Sequence, residues 1–62
     1  MQEEQRQRYL TPDEASELTG YKASTLVKMA RQGRIPSAKL GSRWRFPERE
    51  LTEWIESNRR DG

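Results

Sequence analysis

Apolar residues change their spacing three times along the chain. From Gln2 to Arg8 the chain is polar and charged, with no periodicity, so residues 1–8 are expected to form a flexible tail outside the fold. Ala15 and Leu18 then share one helical face. Leu26, Met29 and Ala30 follow the i, i+3, i+4 pattern of a buried helical stripe, and Leu51, Trp54 and Ile55 repeat it. Between those two stripes, "RIPSAKLGSRWRF" switches to period two, the mark of a β-hairpin. The pattern predicts an α+β domain, mostly helical, with two helices, a hairpin and a closing helix.

Local signals set the boundaries. In "LTPDEASEL", Thr11 is a good N-cap, Pro12 suits the first helical position, and Glu14 completes a capping box three residues later. Asp13 and Glu14 also complement the positive end of the helix dipole. Gly20 breaks this helix. The second helix is expected from about Ala23 to Gln32, with Gly33 as its C′ residue. The third, "PERELTEWIESN", opens near Pro47 and ends near Asn58, leaving residues 59–62 as a frayed C-terminus and 9–58 as the domain.

The hairpin turn falls at Gly41-Ser42, and parity chooses its length. A two-residue loop pairs Leu40 with Arg43 and Lys39 with Trp44, spreading apolar side chains over both faces. A three-residue loop, Gly41-Ser42-Arg43, pairs Leu40 with Trp44 and Ala38 with Phe46, and puts Lys39 and Arg45 together on the other face. Register follows the buried face, so the three-residue loop is expected. The candidate core is then Leu10, Ala15, Leu18, Tyr21, Leu26, Met29, Ala30, Ile35, Leu40, Trp44, Phe46, Leu51, Trp54 and Ile55. Both tryptophans are expected to pack between hairpin and third helix, each burying roughly 150–250 Å².

Composition narrows the chemistry. A chain of 62 residues makes one small domain, and a domain this size buries only about 60% of the surface its unfolded chain exposes. With no Cys, no His and no clustered Asp loop, neither a disulfide, a metal nor a cofactor is expected. The missing Cys fits a reducing compartment. No apolar run suits a membrane span, and the N-terminus lacks the apolar segment of a signal peptide, so a cytoplasmic protein is expected.

Net charge is only +2, but its distribution is uneven. Residues 1–21 hold five acids against two bases, residues 46–62 five against three, and residues 22–45 hold seven bases and no acid. That acid-free window coincides with the second helix and the hairpin. Two short helices, a Gly-containing turn between them and a positive outer face on the second describe a helix-turn-helix. A basic surface flanked by acidic ones attracts a polyanion and also orients it.

The stretch "YLTPDEASELTGYKASTLVKMARQGRIPSAKLGSRWRFPERELTEWIE" resembles the excisionase-type branch of MerR-like winged helix-turn-helix domains. The resemblance rests on "LTPDEASELTG", "STL", "RQGRIP", "LGSRWRF" and "LTEWI" in that order, and covers about residues 9–56. It implies double-stranded DNA binding, with the second helix in the major groove and the hairpin wing against the backbone or minor groove. It also implies a role as a recombination directionality factor, partnered by a phage or mobile-element integrase and bound as several copies side by side, or as a small transcription regulator. One position departs from the pattern: Lys22 stands where the family usually has Ser or Thr capping the second helix. Either Ser24 starts that helix later, the expectation on grounds of stability, or the first N–H groups stay free for a phosphate oxygen.

The candidate contacts are Lys22, Ser24, Thr25, Lys28 and Arg31 on the second helix, and Lys39, Ser42, Arg43 and Arg45 on the wing. Lys28 and Arg31 lie about one turn apart and can follow the groove. Ser24 and Thr25 suit phosphates or base edges, and Arg31 suits guanine or a phosphate. Arg43 and Arg45 suit a narrow minor groove, although Arg45 can equally cover Trp44 or pair with a third-helix Glu. If about five bases reach phosphates, log K falls with log salt at a slope near −4.5.

Rival classes fit less well. Catalysis would fall to surface carboxylates with no pocket to tune them, so neither an enzyme nor a small-molecule substrate is expected. RNA binding lacks exposed stacking aromatics on the basic surface. A protein-interaction adaptor, docking an integrase, polymerase or toxin through its acidic helix or tail, is the remaining alternative.

Overall fold

The computed structural model describes residues 8–61, with side chains as far as Arg59. Strand β1 (Tyr9–Leu10) leads into helices α1 (Pro12–Thr19) and α2 (Ala23–Arg31). Strands β2 (Ala38–Leu40) and β3 (Arg43–Pro47) form the hairpin, and α3 (Glu48–Asp61) closes the domain. Most of the tail expected at residues 1–8 lies outside the described residues. Its last member, Arg8, is tied in: its carbonyl accepts from the Glu48 N–H at 2.8 Å. Its guanidinium stands 3.9 Å from Glu14 and 3.8 Å from Glu48.

The first helix forms as its cap predicts. The Thr11 hydroxyl accepts from the Glu14 N–H at 3.1 Å, and the Glu14 carboxylate accepts from the Thr11 N–H at 2.9 Å. The third helix runs past Asn58, its expected end, to Asp61. The Asn58 amide donates to the Trp54 carbonyl one turn back, at 2.8 Å, and does not divert the backbone.

Two features of the sheet differ from expectation. Tyr9 pairs with Pro47 and Leu10 with Phe46, so the hairpin becomes a three-stranded antiparallel sheet ordered β1-β3-β2. A strand of two residues has no period of its own to betray it. The hairpin register is the one that parity disfavoured: Leu40 faces Arg43, Lys39 faces Trp44 and Ala38 faces Arg45, around the two-residue turn Gly41-Ser42. Gly41 has φ 68° and Ser42 a negative φ, the pattern of a type II′ turn, whose twist matches the flanking strands. Parity disfavours this register only if Leu40 is buried, and Leu40 is 51% exposed.

Leu10, Ala15, Leu26, Ala30, Ile35, Phe46 and Leu51 form the core, with Met29, Trp44, Trp54 and Ile55 partly buried against it. Leu18 and Tyr21 join Leu40 among the exposed residues. A stripe selects which side of a helix turns inward but not how deeply, and so short a chain cannot cover every turn of every helix.

Candidate nucleic-acid interface

The second helix is aimed by its turn. Gly20, at φ 85°, lets the chain leave α1, and its N–H donates to the Ser16 carbonyl at 2.8 Å. The Ser16 hydroxyl then donates to the Tyr21 carbonyl at 2.6 Å. The Thr19 hydroxyl donates to the Ala15 carbonyl at 3.0 Å and accepts from the Tyr21 N–H at 3.1 Å. Side chains of α1 therefore hold the turn that sets the start of α2.

That start is at Ala23, with Lys22 as the N-cap residue and no capping bond from its side chain. The later start at Ser24 does not occur. Lysine has no acceptor to offer the first-turn N–H groups, and the first helical bond runs from the Leu26 N–H to the Lys22 carbonyl at 3.0 Å. The positive end of α2 is left without a side-chain cap. At the other end, the Arg34 N–H donates to the Met29 carbonyl at 2.9 Å and the Gly33 N–H to that of Ala30 at 3.0 Å. This is a Schellman motif, with Gly33 at φ 70°.

Burial of Leu26 and Ala30 turns the opposite side of α2 to solvent. Ser24, Lys28 and Arg31 are exposed there, Lys22 is exposed at the helix start, and Thr25 is half-buried. Arg34 was not among the nine candidates. It is exposed just beyond the helix, with its Nη1 donating to Gln32 Oε1 at 3.3 Å. Its place in the acid-free window was the signal for it.

On the wing the observed register redistributes the candidates. Side chains alternate along each strand, so Arg43 and Arg45 share a face with Ala38 and Leu40, while Lys39 shares the other with Trp44. The expectation that Lys39 and Arg45 lie together is therefore overturned. Lys39 Nζ stands 5.6 Å from the Trp44 ring centroid, within cation–π range. Arg43 and Ser42 are exposed at the tip. Arg45 is half-buried, its Nη1 donating to its neighbour Trp44's carbonyl at 2.8 Å. Neither alternative for Arg45 is seen: its side chain leaves the strand on the face opposite the Trp44 ring, and among the described residues it pairs with no third-helix Glu.

Among the described residues, none of the seven bases of the window pairs with a carboxylate; the ion pairs involve Arg8 and Arg59.

Two helices joined by a glycine turn, a basic outer face on the second, a hairpin wing and a closing third helix define a winged helix-turn-helix domain. The family model for the helix-turn-helix domain matches residues 9–59, and the chain belongs to that family. Comparisons with curated proteins and with solved structures returned no match. Membership makes this a DNA-binding type of module. Among the described residues, no helix is long and apolar enough to cross a membrane.

Proposed function

We propose that this protein binds double-stranded DNA sequence-specifically, with α2 in the major groove and the wing on the minor groove or its flanking phosphates. One observation carries the reading: the window from Lys22 to Arg45 has seven bases, no acid, and no internal ion pair among the described residues. Lys22, Lys28 and Arg31 contact phosphates or guanine, and Ser24 and Thr25 the backbone or base edges beside the uncapped start of α2. Ser42, Arg43 and Arg45 supply the wing contacts. Lys39 reaches a phosphate only by leaving the Trp44 ring.

The biological role we infer is that of an excisionase, a recombination directionality factor of a phage or mobile element. The same surface serves a small transcription regulator equally well. A single module buries only about 600–1,000 Å² on DNA, so useful occupancy calls for adjacent copies or an integrase-type partner.

Fluorescence anisotropy with a mixed-sequence duplex tests the binding itself. The expected slope of log K against log salt is about −4.5, for about five phosphates neutralised. A protein that leaves the duplex unbound in dilute buffer would act instead as the adaptor. Footprinting on DNA flanking the protein's own gene separates the two roles: protection beside a recombination site indicates excision, and protection across a promoter indicates regulation.

A further inference from the structure

Tyr21, Trp54 and Ile55 belong to the core that the sequence predicts, yet none of them is fully buried in the fold. Tyr21 is 46% exposed, and the two α3 residues are only partly covered. They meet on one side of the domain. Tyr21 and Ile55 line a hollow of about 190 Å³ together with Arg59. Pro36 and Arg34 line a second, of about 290 Å³, and Trp54 lines both. The result is an apolar strip from the turn before α2 to the loop after it, crossing α3, with an arginine in each half. Among the described residues, no carboxylate lines either hollow. The strip is held ready. Ser16 and Thr19 fix both backbone groups of Tyr21, and Trp54 and Ile55 project from one continuous helix, so a partner that covers them has little backbone to order.

We propose that this strip docks an acidic amphipathic helix of a partner protein. Tyrosine, tryptophan and arginine are the residue types in which interface binding energy concentrates. An amphipathic helix lays apolar anchors three or four positions apart into a groove, and the two hollows that share Trp54 take one anchor each. Both are smaller than the roughly 300–1,000 Å³ of a small-molecule site. Arg34 and Arg59 select carboxylates beside the anchors and reject a basic helix. Within the protein, Arg59 stands 3.7 Å from Glu56, an exposed pair worth little, which a partner's carboxylate can replace. Nucleic acid fits the strip less well, because Pro36 and Ile55 give a base no aromatic face to stack on. None of these residues is among the proposed DNA contacts, and the partner meets the apolar side of α3 rather than its carboxylates.

The test titrates the whole isotope-labelled protein with three synthetic helical peptides, followed by NMR of its amides and indoles. The first peptide has leucines at i, i+3, i+4 and i+7 among glutamates. The second has lysines for the glutamates, and the third has glutamines for the leucines. The first is expected to shift the Trp54 indole and the Tyr21 and Ile55 amides, and to bind about tenfold more tightly than either control. Tyr21→Ala, at an exposed position, should weaken it about tenfold. Arg34→Glu combined with Arg59→Glu should transfer the preference to the lysine peptide, a reversal that no general loss of folding produces. Equal binding of the glutamine peptide, or shifts confined to Lys28, Arg31 and Arg43, would reduce the effect to attraction by the basic surface and overturn the proposal. So would tighter binding of a single-stranded oligonucleotide at Tyr21 and Trp54, or a dimer that Tyr21→Ala abolishes, which would seat a second copy there. A duplex titration in the same spectra reports on DNA binding separately, so either reading can fail without the other.

Discussion

Phe46 has no exposed surface and sits in β3 between a neighbour from β1 and the helices. Cutting it to alanine should cost about 3–5 kcal/mol. Total stability for a chain of this size is roughly 3–9 kcal/mol, so Phe46→Ala is expected to abolish or severely lower the cooperative thermal transition followed by circular dichroism. The wing bases should behave differently from one another. Arg43→Ala is expected to reduce the salt slope of DNA binding by about 0.9, the effect of one lost phosphate contact, with little change in stability. Lys39→Ala is expected to do the reverse. Losing its position over Trp44 costs about 0.5–1 kcal/mol in thermal unfolding, and the salt slope stays nearly constant. Equal effects of the two substitutions on the slope would show that both bases work on the same side of the hairpin.

At the scale of the element, α1 and α2 begin in opposite ways. Thr11 and Glu14 satisfy the start of α1 reciprocally, whereas Lys22 leaves the start of α2 uncapped. Stability and binding are then set against each other at Lys22. Lys22→Ser should supply the missing cap and stabilise the domain by about 1 kcal/mol, seen as a rise in Tm. The same change removes one positive charge and occupies N–H groups otherwise free for a phosphate. DNA affinity is therefore expected to fall as Tm rises; a variant that gains in both would show that the α2 terminus does not meet the backbone. The hairpin shows the companion lesson. Its turn was legible as Gly41-Ser42, but its register was not, because a half-exposed leucine and a buried one look alike in a string of letters.

For the whole molecule, charge is segregated by element. Carboxylates populate α1 and α3, and the acid-free run of seven bases covers α2, the wing and the loop between them. Long-range attraction of a polyanion is then directional, and both neighbouring acidic elements oppose a wrong approach. Among the described residues, the core has seven buried apolar residues. We expect a monomer without DNA and assembly of adjacent copies along it. Sedimentation velocity at micromolar concentration checks the first, and stepwise band shifts on lengthening duplexes check the second.

Some of this protein was determined by its sequence alone, because the causes are local or additive. Caps and breakers act over three or four residues, helical stripes over two turns, and the acid-free window is a matter of counting. Those features place the three helices, the Gly20, Gly33 and Gly41 turns, and the side of α2 that faces solvent. Only the tertiary structure decided the rest. The pairing of Tyr9–Leu10 with β3, the register that sends Lys39 to Trp44 and Leu40 outward, and the exposure of Leu18 and Tyr21 all depend on which distant segments meet. Burial is shared among segments far apart in the chain, and periodicity in one of them does not say what the others leave uncovered.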